Sequence, residues 1–194
     1  MALLRTILIV ILCLGTSAHG YGTSTEPGTA LDSNVAYYQG ENLTYVIYPP
    51  EDFQMVIDEA AEAGYSFAFI PDEVALDEAD LMIGVNIYKV RGMAFDDVLA
   101  RDTANMRKHY GESVEIEPVD SVFSSNGHQM PTFFIGDNTG FVPNVMISYF
   151  DGDTELLIFE LVMTGRVARF KAEGLFLECL RRFKALSIGD LGYE

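Results

Sequence analysis

The spacing of hydrophobic and polar positions along this chain changes near its middle. Up to Gly111, segments that alternate are mixed with segments of helical spacing. Beyond it most segments alternate, and only the last one is helical again. Alternation is typical of strands, and apolar residues three or four apart are typical of amphipathic helices. Because strands and helices are largely segregated, the pattern predicts an α+β fold with an antiparallel sheet packed against helices.

Seven runs have the alternation or the β-branched content of strands. In chain order they are NLTYVIYPP, YSFAFIP, LMIGVNIYKV, VEIEPVDSVFSS, QMPTFFIG, FVPNVMISYF and ELLIFELVMTG. The last four predict a C-terminal meander. The fourth is broken near Pro118, Pro131 in the fifth indicates an edge or a bulge, and Asn126–His128 between them predicts a type I′ hairpin turn.

Two segments have clear helical spacing. MAFDDVLARDTANMRKHYG carries acids in its first turn and bases in its last, which suits the helix dipole, and Gly111 follows as a stop. The closing segment, Arg166 to Leu186, carries an apolar stripe that should face the sheet: Phe176, Cys179, Leu180 and Phe183. A third segment, EDFQMVIDEAAEAG, has helical spacing up to Gly64, but its first half also alternates and could instead be extended.

The run ELLIFELVM raises the question of which sheet face is covered. Leu157, Phe159, Leu161 and Met163 should receive the helices, and Glu160 lies on the opposite face. We expect that opposite face to be partly solvated, with Glu160 an ordinary outward residue. If it were covered, the carboxylate would need a partner such as an arginine or a metal.

The acids of the stretch Asp151–Glu155 (DGDTE) lie between the last two strands. An EF-hand loop beginning at Asp151 would require Gly and Glu where the chain has Leu156 and Val162, so that motif fails. The dipeptides D-G and G-D instead predict a hairpin turn whose acids keep the loop tip solvated. The acidic run DEVALDEAD is likewise expected to be a solvated loop rather than a calcium site.

The first residues, MALLRTILIVILCLGTSAHG, have the layout of a secretory signal: a positive start, an apolar run and small residues. Cleavage is expected after Gly20 or Ala18. The apolar run is shorter than the ~20 residues of a membrane span. We therefore expect export to the periplasm or the medium, with membrane contact only through the uncleaved signal.

The rest of the chain divides by composition into three parts. Residues 21–40 are rich in Gly, Ser, Thr and Pro and predict a flexible leader. Residues 41–187 are long enough for one domain with a single core, and 188–194 form a tail. Cys179 is the only cysteine after cleavage, which excludes a disulfide framework and favours a buried, inert thiol.

The formal net charge of −17 opposes binding to nucleic acid or anionic lipid. The closing helix is an exception, because six bases and two acids lie between Arg166 and Lys184. Outward bases there could orient an acidic protein partner, and the candidates are Arg166, Arg169, Arg181 and Arg182. The alternative is that these bases pair with the protein's own acids.

Candidate chemistry is sparse. His109 ends a helix and His128 follows a turn, so both have ordinary surface explanations, and the sequence contains none of the common metal, nucleophile or P-loop motifs. We expect no cofactor and no metal. Glu160, His128 and Cys179 are the residues on which an enzymatic site would have to draw.

The chain resembles the PsbP and Mog1-like α/β/α sandwich family. The resemblance lies in YVIYPPEDFQMV, in DLMIGVNIYKVRGMAFDDVLARD, and in the hairpins from NGHQMPTFFI through NVMISYFDGDTELLIFELVMTG to FLECLRRFKAL, between about Leu43 and Ser187. It implies a non-catalytic fold, whose known members act as an extrinsic photosystem II subunit or as a partner of a nuclear GTPase. Many bacterial members are exported. These are patterns of fold, so no functional residue carries over.

These features favour an exported, non-enzymatic binding or accessory domain with a protein partner. One alternative is a hydrolase or metal-dependent enzyme whose site assembles from scattered Asp, Glu and His. Another is a small-ligand carrier with its pocket between sheet and helices.

Overall fold

The computed structural model describes residues 35–90, 94–111, 114–120, 122–136, 145–163 and 169–187. The expected signal, most of the leader, Arg166, the side chain of His109 and the tail lie outside the described residues. The elements in chain order are β1 (Ala36–Gln39), β2 (Leu43–Ile47), β3 (Phe53–Val56), α1 (Asp58–Glu62), β4 (Phe67–Pro71), β5 (Leu81–Lys89), α2 (Phe95–Tyr110), β6 (Glu115–Pro118), β7 (Val122–Phe123), β8 (Gln129–Met130), β9 (Thr132–Gly136), β10 (Val145–Asp151), β11 (Glu155–Met163), α3 (Arg169–Arg182) and β12 (Lys184–Ser187).

The described strands form a seven-stranded sheet in the order β3-β4-β5-β11-β10-β9-β6, a three-stranded sheet β1-β2-β12 and the hairpin β7-β8. Every neighbouring pair is antiparallel. The longest ladder joins β11 to β5, from Glu155 opposite Lys89 to Met163 opposite Leu81. The predicted α+β class is confirmed, and the long strand β11 lies at the centre of the large sheet.

Both faces of the seven-stranded sheet are covered. On one side, which we call the α3 face, strand residues such as Leu157, Phe159 and Leu161 pack with Phe176 and Leu180 of α3. On the other side, the α2 face, strand residues pack with α2: Val145, Ile147, Tyr149, Leu156 and Ile158 on the sheet and Val98 and Met106 on the helix. The expectation of a partly solvated second face was wrong. The reason is that its positions on β10 and β11 are themselves mostly apolar, so they too are buried.

Three local expectations are also corrected. Ala36–Gln39, assigned to the flexible leader, form β1 and pair with β2. The closing helix ends at Arg182, and Lys184–Ser187 pair with the other edge of β2, which supplies that strand with a second hydrogen-bonded neighbour. In the turn between β7 and β8 only Gly127 has a positive φ, +85°, so it is not type I′, which needs two such residues.

Other expectations are confirmed. For EDFQMVIDEAAEAG the alternative is confirmed and a helix over the whole segment was wrong: its alternating start is the strand β3, and only its end is helical, as the short α1. The predicted helix over MAFDDVLARDTANMRKHYG is α2, and Gly111 follows it with a φ of +96°. Pro131 separates β8 from β9, which divides the long hairpin into two sheets.

None of the described helices is long and apolar enough to cross a membrane.

Candidate functional site

The candidate reactive residues were Cys179, His128 and Glu160, and the structure places them in separate parts of the fold. Cys179 lies on the side of α3 that packs against the sheet, and its side chain is fully buried. Burial raises the pKa of the thiol to about 12, so the thiolate is not formed at neutral pH. The expected burial of this cysteine is confirmed.

His128 is exposed at the end of the β7–β8 turn. Its ring lies edge-on to the ring of Phe150, with centroids 5.3 Å apart. The groove that it borders holds about 190 Å³ and is lined by Phe95, His128, Gln129, Pro131, Phe150 and Asp151. That volume is below the ~300 Å³ at which ligand pockets usually begin.

Glu160 lies on the α2 face and is mostly enclosed, contrary to the expected outward position. Its Oε2 accepts a hydrogen bond of 3.2 Å from the hydroxyl of Tyr65. Burial raises the pKa of this carboxyl to about 7, the negative charge of Asp102 adds to the effect, and the hydrogen bond from Tyr65 opposes it. At neutral pH the carboxyl is therefore divided between its protonated and ionised forms.

The contact between Tyr65 and Glu160 depends on Gly84. Gly84 is the cross-strand neighbour of Glu160, and a Cβ at this position would lie 2.4 Å from a ring carbon of Tyr65. The glycine thus leaves room for the tyrosine ring to lie across β5 so that its hydroxyl reaches the carboxylate.

Asp102 brings a second acid to the same face from α2. Its Oδ2 accepts a hydrogen bond of 3.3 Å from the hydroxyl of Tyr149 on β10. Burial raises the pKa of Asp102, while the bond from Tyr149 and the charge of Arg101 lower it by a smaller amount. Two acids, on a helix and on a strand, therefore share one largely buried environment.

The groups around this pair supply little compensating charge. Burial and the negative charges of Asp102 and Glu160 raise the pKa values of Tyr88 and Tyr149, so both phenols stay neutral. In the part of the chain that the structure describes, Arg101 Nη2 and Asn86 Nδ2 are buried without a hydrogen-bond partner. We call the set Tyr65, Tyr88, Asp102, Tyr149 and Glu160 the acid–tyrosine cluster.

Sequence reasoning identified only Glu160 of this cluster. A signal for Asp102 was present, because it lies four residues from both Val98 and Met106 on the buried side of α2. An acid at the centre of an apolar stripe is an indication of a buried polar contact. The tyrosines give no comparable signal in the sequence, since their spacing is that of ordinary core residues.

Glu155 is a second buried acid that was misassigned. It was expected to keep a loop tip solvated, but it is 1% exposed. Its carboxylate accepts hydrogen bonds from the backbone N–H of Glu41 at 2.9 Å, from the hydroxyl of Tyr45 at 3.1 Å and from that of Thr154 at 2.7 Å. The strand period already placed it on the same face as Leu157. Glu155 therefore joins the β1–β2 connection to the large sheet.

The turn itself fits the plain-hairpin expectation. Asp151 and Asp153 are exposed, and the Asp151 carboxylate accepts a hydrogen bond of 3.0 Å from the Asp153 N–H. Among the described residues, no group of three or more His, Cys, Asp or Glu is arranged to hold a metal ion.

The candidate docking arginines of α3 differ from one another. Arg169 pairs with Glu173 and stacks over the ring of Phe134, with its guanidinium carbon 3.5 Å from the ring centroid. Arg182 pairs with Glu178 at 3.3 Å and donates a hydrogen bond of 3.1 Å to the Pro49 carbonyl.

These two bases are therefore tied to the protein itself. Arg181 is exposed and makes no ion pair with the described residues. Of the four candidates, Arg181 is thus the described residue whose charge is open to a partner.

Comparison with known proteins supports the fold. No protein-family model and no curated protein matches the sequence. The structure is similar to the solution structure of cyanobacterial PsbP (CyanoP) from Synechocystis sp. PCC 6803, with a TM-score of 0.51 and 16% sequence identity, over 84% of this chain and 99% of that one. At this identity the similarity concerns the fold alone, and the chain has a PsbP-like α+β fold.

Proposed function

We propose that this chain is an exported, non-enzymatic binding or accessory domain, and that an acidic protein surface docks on the outer face of α3. By the outer face of α3 we mean Phe170, Lys171, Gly174 and Arg181, which recur at helical spacing on the side away from the sheet.

The observation that carries the proposal is the exposure of Phe170, which is 88% accessible. A large aromatic side chain in water beside open bases is the composition of an interface anchor. Gly174, one turn further, has no neighbouring atom within 4 Å of the position where a Cβ would be. The centre of the face is therefore flat enough for another surface to approach closely.

Charge complementarity favours an acidic partner. The described residues of α3 include four bases and two acids, whereas the whole chain has a net charge of −17. Arg169 and Arg182 have partners within the domain, so Lys171 and Arg181 are the bases with which an incoming carboxylate would pair. Such rim charges act chiefly on the association rate and weaken with salt.

The separation of the reactive side chains favours binding over catalysis. Cys179 is buried on the α3 face, Glu160 lies across the sheet on the α2 face, and His128 is at a hairpin turn. A nucleophile and a base need to be within hydrogen-bond reach of each other. Since the sheet lies between Glu160 and Cys179, these residues do not form such a set.

The docking proposal is tested with matched charge reversals. We would immobilise the wild type, the double variant Lys171→Glu with Arg181→Glu, and the control double variant Arg107→Glu with Lys108→Glu. The control reverses two exposed bases on α2 and changes the net charge equally. Acidic proteins recovered from the exporting cell's envelope or medium would then be measured for affinity across salt concentrations.

We expect the α3 variant to lose at least tenfold in affinity for a recovered partner, the control to bind as the wild type, and wild-type binding to fall with salt. Equal binding by the two variants at every salt concentration would show that the outer face of α3 is not the docking surface.

Export rests on the sequence of the first twenty residues. The secreted product should have the intact mass of a chain beginning after Gly20 or Ala18. Accumulation of the uncleaved chain inside the cell would contradict this part of the proposal.

A further inference from the structure

We propose that Asp102 and Glu160 form a proton-binding pair that couples the packing of α2 against the sheet to pH. Protonation at the pair holds α2 in place, and loss of the proton loosens it. This inference does not depend on the docking surface, which lies on the other side of the sheet.

The two acids come from elements that differ in how firmly they are held. Glu160 lies on β11, which is hydrogen-bonded to β5 on one side and to β10 on the other. Asp102 lies on α2, which is attached to the sheet by side chains, including the buried Val98 and Met106. Repulsion between the two carboxylates therefore acts on the helix rather than on the central strand.

The groups that face the pair do not balance a second negative charge. Tyr65 from the segment after α1, Tyr88 from β5 and Tyr149 from β10 are phenols, and the charged group beside the pair is Arg101 of α2. With one acid ionised, Arg101 compensates it. With both ionised, a negative charge stays in a largely buried site, which is unfavourable.

Glu160 gains or loses its proton near neutral pH, because burial and the charge of Asp102 raise its pKa to about 7. The site is also built to hold the carboxyl in one position, since Gly84 admits the ring of Tyr65 and the hydroxyl of Tyr65 bonds to Oε2. Tyr149 fixes Asp102 in the same way from β10.

The test is amide hydrogen exchange of the purified protein between pH 5.5 and 8.5, expressed as protection factors so that the intrinsic pH dependence is removed. The amides of α2 are compared with those of β11 in the wild type, in Glu160→Gln and in Asp102→Asn. Opening of α2 returns Glu160 to an ordinary carboxyl, so we expect α2 in the wild type to lose about tenfold or more in protection relative to β11 between pH 5.5 and 7, and to level off above pH 7.

Glu160→Gln keeps a group that accepts the bond from Tyr65 but does not ionise, so its α2 protection should not vary with pH. Asp102→Asn removes the neighbouring charge, so its loss of protection should level off at a lower pH. If Glu160→Gln does not fold, the wild type and Asp102→Asn decide the question by the direction of that shift. Three results would each overturn the proposal: equal pH dependence in wild type and Glu160→Gln, levelling off at the wild-type pH in Asp102→Asn, or constant α2 protection in the wild type.

Discussion

The two faces of the seven-stranded sheet are built from the same strands but differ in chemistry. The α3 face holds an aromatic core, in which Phe183 stacks with Tyr45 and packs edge-on against Phe150 and Phe159 at centroid distances of 5.0–6.3 Å. The α2 face carries the acid–tyrosine cluster within an otherwise apolar layer. The α3 face therefore stabilises the fold mainly through apolar burial. On the α2 face a protonation equilibrium also affects stability.

The comparison shows that burial alone does not define the role of a face. The stability of the α3 face depends on close packing, so it should be sensitive to substitutions that change side-chain volume. The α2 face depends on which groups are ionised, so its sensitivity should be to pH and to changes of charge. Substitutions on the two faces should therefore separate by the kind of measurement that detects them.

The largest effect is expected on the α3 face. Phe183→Ala removes a fully buried ring and should lower the free energy of unfolding by about 3–5 kcal/mol. Phe170→Ala, on the exposed side of α3, is the control and should change the free energy of unfolding by less than about 0.5 kcal/mol. Urea denaturation of both variants is the measurement. A Phe183→Ala cost no larger than that of the control would contradict a closely packed core here.

The α2 face should respond to pH. The folded protein raises the pKa of Glu160 from 4.5 to about 7, so the native state binds this proton more tightly than the unfolded chain does. This stabilisation of the native state is largest below pH 4.5 and decreases as the pH rises from 4.5 to 7. The total loss is at most about 3 kcal/mol.

Other groups titrate as well, so the quantity to measure is the difference in unfolding free energy between the wild type and Glu160→Gln at each pH. This difference should decline over that range. A flat difference would mean that the folded state does not perturb Glu160.

Glu155 offers a contrast with Glu160, because its carboxylate is surrounded by donors. Glu155→Ala leaves the Tyr45 hydroxyl and the Glu41 N–H without their acceptor and should cost about 2–3 kcal/mol. Asp153→Asn, at the exposed tip of the same hairpin with a φ of +66°, should be nearly neutral because Asn tolerates this conformation. Thermal unfolding of the two variants compares them directly, and equal melting temperatures would contradict a structural role for Glu155.

The smallest effect is expected from hydroxyl groups in the core. Thr44 is fully buried, and its Oγ1 has no hydrogen-bond partner among the described residues. Thr44→Val should therefore stabilise the protein by about 1 kcal/mol. The matched control is Thr132→Val, which removes a hydroxyl bonded at 2.9 Å to both the Met130 carbonyl and the Ser148 hydroxyl and should destabilise by a similar amount. The same sign for both substitutions would refute the assignment.

The sequence predicted the α3 face better than the α2 face for a physical reason. Leu157, Phe159 and Leu161 alternate with other residues, and a two-residue period identifies a buried face directly. The opposite positions Leu156, Ile158 and Val162 are apolar as well, which is typical of a strand that is covered on both faces. The single acid among them, Glu160, was nevertheless taken as a sign of solvent.

The docking site was predictable to the level of the helix but not of the residue. The excess of bases in the closing segment identified α3, whereas the partners of Arg169 and Arg182, namely Glu173, Glu178 and the Pro49 carbonyl, depend on the packed structure. Phe170 was not selected because an aromatic residue in a helical pattern is ordinarily part of the core. Its exposure follows from the orientation of the helix on the sheet, which the sequence pattern leaves open.

The most direct test of the difference between the two faces is the titration of Glu160 itself, followed by NMR of the side-chain carboxyl carbon in protein labelled with ¹³C-glutamate. The signal is assigned as the one that disappears in Glu160→Gln. We expect a midpoint near pH 7, as burial on the α2 face requires. A midpoint near 4.5, the ordinary value for a glutamate, would show that this carboxyl is solvated and that the α2 face has no protonation equilibrium in the neutral range.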